Sequence, residues 1–315
     1  MTRPDDSLLD SDQLANVLRH ADQLLRDASA IGRFPTPIDD LLSAAKLTVV
    51  DDEVLSEGFL ENFIKKAKAT VGTIKSALSK VLGLFEANDR FVVIDKNAPK
   101  PRVPFIKLHE AGHGTMPHQS KLYKIMHDCE KTLEPDIADL FEREANVFAS
   151  EVLFQGEAFS QEAHAQSFGI KVPMSLAKKY GGSNYATFRR YVISNPHACC
   201  VVILEPPVYA ADGSLTAEVR RVVVSKSFEA IFDGKVLTST VTDDLHPLYS
   251  VVPASGKRMS FDREVVLTDR NHDERICTAE AFNTRHQVLI LIRDSGLRKK
   301  CSIVVPAIYS LRPMK

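Results

Sequence analysis

The chain has 315 residues, of which 44% are hydrophobic and 26% charged; this excludes a disordered or fibrous protein and leaves room for two hydrophobic cores. Its 40 basic and 41 acidic side chains give a formal net charge of -1, so the overall charge does not indicate a nucleic-acid or membrane partner. The polar, acidic start and the lack of an apolar run near the ~20 residues of a bilayer span predict a cytoplasmic protein.

The N-terminal half is predicted to be mostly helical. Apolar residues recur at helical spacing over 11–31, and a second helix is predicted over 37–45, where proline suits the first turn. Short strands are predicted at 47–50 and 90–97. Between them, 59–83 is predicted to be an amphipathic helix whose lysines form a solvated face, with contact to an anionic partner as the alternative.

The stretch PFIKLHEAGHGTMPH contains the pattern that points to chemistry, inside a helix predicted over 105–115. His109 and His113 are four residues apart, so on a helix they project from the same face and can bind one metal ion. Glu110 lies beside them and is suited to act as general base towards water. The pattern predicts a zinc site, with Mn²⁺ as an alternative ion.

The third ligand is expected from a later helix, predicted over 136–154. A metzincin-type site would need a third histidine where the chain has Gln119, and His118 is one residue out of place. Glu142 and Glu144 both remain available. Helix geometry favours Glu142, because it shares its face with residues small enough to allow close packing, namely Ala138, Ala145 and Ala149.

Several nearby residues are candidates for supporting roles. Asn146 is predicted either to orient a metal ligand or to be a plain surface amide. Cys129 lies between the two metal-binding helices, where its thiolate could bind the metal and inhibit the enzyme; the alternative is an ordinary free thiol. Candidate donors to the transition state are His118, Tyr123 and His127, each of which can also be structural.

The segment 158–197 is predicted to be helical, with a break at 169–173. Within it, 173–192 has the pattern of a helix-turn-helix: a helix, a tight glycine turn, a serine N-cap and a second helix with arginines. If this element read DNA, the groove would receive Asn184, Thr187 and Arg190. The alternative is that it completes the domain or docks a substrate.

From Cys199 onward, β-branched runs separated by turn residues predict a β-rich region. The basic tail 285–315 is a candidate phosphate-attracting patch. The predicted fold class is α+β. We predict a mostly helical zincin-like metallopeptidase domain with a small sheet over 1–157, a helix-turn-helix-like segment over 158–197, and a β-rich α+β sensor or regulatory domain over 198–315.

Two motifs together resemble the ImmA/IrrE family of metallopeptidases. They read Arg102–x–x–Phe105–x–x–x–His109–Glu110–x–x–His113 and Glu142–Arg–Glu–Ala–Asn146–x–Phe148–Ala149. The resemblance covers about residues 35–155. It implies that His109, His113 and Glu142 bind zinc and that Glu110 is the catalytic base. After Glu151 the sequence VLFQGEAF departs from the usual family ending, so the rim of the cleft is expected to differ.

The resemblance also implies a function. Family members typically cut a helix-turn-helix transcriptional repressor once and thereby switch on its operon. The β-rich C-terminal region is similar in size and texture to the GAF-like appendage of the IrrE branch. The two-part plan is similar to that of the CapP type, DNA-damage-responsive peptidases of anti-phage operons, for which single-stranded DNA is a candidate activator. The alternatives are a DNA-binding transcriptional regulator with a structural zinc and a general cytoplasmic peptidase.

Overall fold

The structure is a computed structural model that describes residues 8–50, 83–87, 90–94, 98–129, 135–211, 214–232, 237, 240–241 and 245–298. For 50, 83, 84, 86 and 124–129 only the backbone is described. Residues 59–82 of the predicted lysine-rich helix, the last β-branched run at 301–308 and the end of the basic tail lie outside these residues, whereas Gly83 begins a strand.

The N-terminal part of the described chain contains two helices and a small sheet. Helix α1 spans Ser11–Asp27, and Asp10 and Gln13 cap its N-terminus reciprocally in a capping box. Helix α2 spans Ile38–Ala44. Strands β1 (Thr48–Val50), β2 (Gly83–Glu86) and β3 (Phe91–Ile94) form a sheet in the order β1-β3-β2, with β1 parallel and β2 antiparallel to β3. Among the strands that the structure describes, β2 therefore lies at one end of this sheet.

The two helices with the sequence motifs pack closely against each other. Helix α3 spans Val103–Thr115, α4 spans Pro117–Cys129 and α5 spans Pro135–Phe154, which confirms the helices predicted over 105–115 and 136–154. Gly112 makes the close approach of α3 and α5 feasible: a Cβ there would lie 3.1 Å from Cδ1 of Phe148 and 3.4 Å from Cα of Ala145. This approach brings the metal-site side chains of the two helices together.

Three shorter helices follow: α6 (Glu157–His164), α7 (Lys171–Tyr180) and α8 (Asn184–Ile193). The prediction of a helical segment is confirmed, but the break lies earlier than predicted, at 165–170. The turn between α7 and α8 is of helix-turn-helix type, because Gly181 adopts φ 72° and the Ser183 hydroxyl accepts a hydrogen bond from the Ala186 amide.

The packing of α8 does not support the predicted DNA-reading face. Thr187 is completely buried, and its hydroxyl donates to the Ser183 carbonyl. Arg190 is largely buried and forms an ion pair with Glu151 at the end of α5. Two of the three side chains predicted to enter a DNA groove are therefore held inside the protein.

A five-stranded antiparallel sheet forms the C-terminal region. Its strands are β4 (Cys199–Leu204), β7 (Val219–Val224), β8 (Met259–Thr268), β9 (Glu274–Asn283) and β10 (Val288–Leu297), in the order β7-β4-β10-β9-β8. A small hairpin, β5 (Val208–Tyr209) with β6 (Leu215–Thr216), and helix α9 (Lys226–Ile231) complete it. The predicted α+β class with a β-rich C-terminal region is confirmed, whereas β9 was not predicted.

Each face of this sheet borders a different hydrophobic cluster. The first cluster runs from Val17 of α1 through Phe148 of α5 and Tyr191 of α8 to Val201 of β4 and Leu289 of β10. The second cluster covers the opposite face and includes Phe228 of α9. The helices and the sheet thus share one core, and the predicted domain boundaries at 157 and 197 stay a prediction. None of the described helices has the length and apolarity needed to cross a membrane.

Candidate metal centre

His109 and His113 lie one turn apart on the buried face of α3, as the spacing predicts. Their Nε2 atoms are 3.2 Å apart, and their side chains are nearly completely buried. Two imidazole nitrogens thus converge on one point, which is the arrangement that a single metal ion requires.

Glu142 approaches the two histidines from α5. Its Oε2 lies 3.2 Å from Nε2 of His109, and its Oε1 lies 3.7 Å from Nε2 of His113. The Glu142 side chain remains 42% exposed, so the cluster is reachable from solvent. Glu144, the alternative ligand, instead points into the protein and is buried. Within the described part of the chain, the three-residue group suited to a metal is His109, His113 and Glu142.

The spacing of these atoms fits zinc. Two atoms bound to one tetrahedral zinc at about 2.0–2.2 Å lie about 3.3–3.6 Å apart. The three measured separations are 3.2, 3.2 and 3.7 Å. Two neutral imidazoles and one carboxylate are also the donor set of many catalytic zinc sites, in which a fourth position stays open. The residues therefore fit the ion that the sequence predicts.

The second nitrogen of each imidazole is held by an amide side chain. Nδ1 of His109 lies 3.2 Å from Oδ1 of Asn146, and Nδ1 of His113 lies 2.6 Å from Oε1 of Gln119. An amide oxygen accepts a hydrogen bond, so each Nδ1 carries hydrogen and each Nε2 keeps its lone pair for a metal. Asn146 thus contacts His109, and its role in orienting a metal ligand stays a prediction, whereas Gln119 was not predicted.

Gln119 belongs to a buried chain of polar groups. Its Nε2 donates to Oε2 of Glu144 at 2.5 Å and to the carbonyl of Phe141 at 3.4 Å. The same Glu144 oxygen lies 2.7 Å from Nε2 of His118. Glu144 therefore orients Gln119, which in turn orients His113. No spacing rule links a helix residue to a glutamine six positions later, beyond the helix end, so this contact could not be predicted from a local pattern.

Burial and mutual charge set the protonation of the site. Burial lowers the pKa of His109, but the hydrogen bond to Glu142 and the charges of Glu110 and Glu142 outweigh it, so the pKa is raised overall. Burial and the charge of His109 lower the pKa of His113 to about 4. Burial also raises the pKa of Glu110 to about 7, although the charge of His109 and the Phe85 amide act in the opposite direction. A divalent cation can replace the proton that His109 shares with Glu142.

The remaining predicted residues occupy different surroundings. The ring of Tyr123 meets the ring of His113 edge to face, with centroids 5.5 Å apart, and burial raises the pKa of its phenol well above the usual value. His118 contacts Glu144 and the ring of Phe141. The backbone at His127 and Cys129 belongs to α4, but their side chains lie outside the described atoms. Their proposed roles, including inhibition by Cys129, stay predictions.

Residues 64–190 match the family model of the peptidase M78 family, described as the IrrE N-terminal-like domain. This part of the chain is similar to IrrE N-terminal-like domains. This confirms the resemblance to the ImmA/IrrE family, and the matched residues include α3–α7 and the first part of α8. A solved Mycobacterium tuberculosis transcriptional regulator is similar, with 12% identity, a TM-score of 0.49 and coverage of 89% of this chain and 76% of that chain. No curated protein matches the sequence.

Replacing Gln119 with leucine is expected to weaken metal binding by the IrrE-like domain about 10–100-fold, the usual effect of removing a group that orients a ligand. The substitution leaves Nδ1 of His113 without its acceptor. Metal affinity is measured by competition with a chromogenic chelator, and melting of the metal-free proteins reports any loss of stability. Gln161→Leu, an exposed substitution on α6, is the matched control. An affinity within twofold of wild type would show that Gln119 does not position His113.

Proposed function

We propose that the protein is a zinc-dependent endopeptidase that cleaves a helix-turn-helix transcriptional repressor and thereby derepresses a stress or defence operon in the cytoplasm. One observation carries the proposal: two imidazoles and a carboxylate converge at zinc spacing, next to the buried Glu110, in a domain of a metallopeptidase family.

Each residue of the site has a separate role in the proposed hydrolysis. His109, His113 and Glu142 would hold the metal. Zinc, when bound, supplies Lewis acidity towards the scissile carbonyl and lowers the pKa of water. Glu110 takes a proton from the attacking water and passes it to the leaving amine. Its burial favours this role, because it raises the pKa of the carboxyl to about 7, near the value at which acid and base forms are both accessible.

We propose that the substrate backbone binds along strand β2. It is the outermost of the three described strands of this sheet and packs beside α3, where the ring of Phe85 faces Gly114. The Phe85 amide also hydrogen-bonds Glu110. An extended segment added to this edge would form main-chain hydrogen bonds that depend little on its side chains, which suits cutting at an exposed loop of a folded repressor.

The C-terminal region is the proposed sensor. DNA damage, with single-stranded DNA as its chemical signal, is the proposed activating input. The shared hydrophobic cluster supports such a link, because α5 with Glu142 and β10 of the sheet pack into the same core. A ligand that shifts the sheet can therefore move elements of the metal site.

The test combines the purified protein with the product of the neighbouring repressor-like gene, with and without single-stranded DNA, and follows the products by intact mass. We expect one discrete cut, made by wild type and absent with Glu110→Gln or a zinc chelator. A cut that requires DNA would identify the signal. Cleavage of unstructured casein at many sites would instead indicate a general peptidase, and no cut by zinc-loaded protein under any condition would contradict the proposal.

A further inference from the structure

An open cavity lies where the start of α7 meets strands β8 and β9 of the C-terminal sheet. Its volume is about 410 Å³, which is within the range of small-molecule pockets in proteins. It is lined by residues 169–172 of the helical part and by Phe261, Asp262 and Glu280 of the sheet. The lining includes none of the three metal ligands, so a molecule bound here would leave the candidate metal centre open.

A β-bulge brings the three side chains of the sheet together at this cavity. The pairing of β8 with β9 changes register between Ser260 and Arg263, so Phe261 and Asp262 both lie opposite Glu280. A bulge redirects side chains that would otherwise alternate between the two faces of a sheet. Asp262 has φ 44°, in the left-handed region. Because of this irregularity, neighbouring residues of β8 can line one cavity.

The two carboxylates of the cavity are not fully compensated. Oε2 of Glu280 accepts a hydrogen bond from the Ile170 amide at 2.8 Å. Burial raises the pKa of Glu280, and the charge of Asp262 acts in the same direction. The Ile170 amide and the charges of Lys171 and Arg293 oppose this rise without cancelling it. An additional positive charge between the two carboxylates would therefore be stabilising.

The cavity also has an apolar lining with an aromatic ring. Ile170 and Val172 are buried, whereas the ring of Phe261 remains 45% exposed. Nζ of Lys171 lies 5.5 Å from the centroid of this ring, so the ring is already in contact with one cation. A ligand with a hydrocarbon body beside a positive charge would cover the apolar lining and place its charge at the carboxylates.

We propose that this cavity is a binding site for a small molecule that carries an ammonium group on an apolar body, either a free amine or an amino acid. The ammonium group would donate to the carboxylates of Asp262 and Glu280, and the apolar body would pack on the ring of Phe261. The carboxylate of an amino acid would pair with Lys171. The site is separate from the metal ligands, and its existence does not depend on peptidase activity.

Binding at this cavity would strengthen the contact between the helices and the sheet. Glu280 of β9 already accepts the Ile170 amide at the start of α7. A ligand that contacts both elements needs the folded arrangement of the two, so it is expected to raise the melting temperature of the protein.

The test measures binding of phenethylamine to the full chain by titration calorimetry and thermal melting. Phenethyl alcohol and 3-phenylpropionate are neutral and anionic probes of similar shape. We expect phenethylamine to bind most tightly of the three, because it alone carries an ammonium group. Asp262→Asn and Glu280→Gln should each weaken its binding about tenfold, since each removes a charge-assisted contact.

Both variants are chosen to preserve the fold. Asparagine tolerates the left-handed φ of Asp262, and glutamine keeps an acceptor for the Ile170 amide. Without ligand, both should melt near the wild-type temperature. The matched control is Glu274→Gln, an exposed acid on β9 that pairs with Arg298, and it should bind phenethylamine as wild type does.

Tighter binding of phenylalanine than of phenethylamine would identify an amino acid as the ligand, and the reverse order would identify a free amine. Either result supports the site. The proposal is overturned if the alcohol or the acid binds as tightly as phenethylamine, if no probe binds at millimolar concentration, or if the two variants bind as wild type does. Since no arm reads proteolysis, failure here is distinct from failure of the proposed peptidase function.

Discussion

The Glu110→Gln variant is expected to keep its zinc and to cleave substrate about 10²–10⁴ times more slowly than wild type, the range for loss of a positioned general base. Glutamine has the shape of glutamate but cannot accept the proton of water. Glu110 is buried beside His109 without being one of the three clustered ligands, so its replacement leaves the donor set intact. Single-turnover cleavage gives the rate, and metal analysis gives the zinc content of the same sample.

The matched control is Glu157→Gln, an acid at the exposed start of α6. It should change neither the rate nor the metal content. A Glu110→Gln protein that loses zinc along with activity would assign Glu110 to metal binding. One that cleaves at the wild-type rate would remove it from the mechanism altogether.

Replacing Glu142 with glutamine should weaken zinc binding by on the order of 10³-fold. Glu142 is the anionic member of the three clustered residues, so glutamine removes its electrostatic attraction for the cation. The loss also leaves the His109–His113 pair without the carboxylate that lies 3.2 Å from His109. Activity should disappear at ordinary zinc concentrations and return in part when zinc is raised.

The matched control is Asp139→Asn, which replaces an exposed acid on the same helix, α5. Asp139 forms an ion pair with Arg143, one turn further along the helix. It should bind zinc as tightly as wild type. The assignment of Glu142 fails if its glutamine variant retains wild-type affinity, and Glu144→Gln would then be the next variant to measure. Partial recovery at high zinc distinguishes a weakened site from a misfolded protein.

The metal cluster could be predicted because it depends on local helix geometry. A separation of four residues places His109 and His113 on one face wherever α3 packs. Helix phase likewise separates Glu142 from Glu144, and small residues mark the face that approaches α3. The structure shows this close approach at Gly112 of α3 and Ala145 of α5, where a Cβ on Gly112 would lie 3.4 Å from Cα of Ala145.

Other features depend on tertiary contacts that a local pattern does not contain. The turn at Gly181 and Ser183 is that of a helix-turn-helix, but strands β4 and β7 pack against α8, and Thr187 is completely buried. Strand β9 was missed because its inward-facing positions are Cys277, Ala279 and Ala281, which lack the β-branched signature of a strand. Gln119 was missed because its partner lies beyond a helix end.

The single core that joins helices and sheet has a consequence for how the protein can evolve. Appendages joined through a flexible tether can be exchanged as modules, whereas here Leu289 and Leu291 of β10 lie in the same hydrophobic cluster as Phe188 of α8 and Phe148 of α5. A different C-terminal region could not simply replace the present one, because it would have to supply an apolar face matched to α8. Mutations in the sheet therefore also alter the stability of the helices that carry His109, His113 and Glu142, so the two parts must change together.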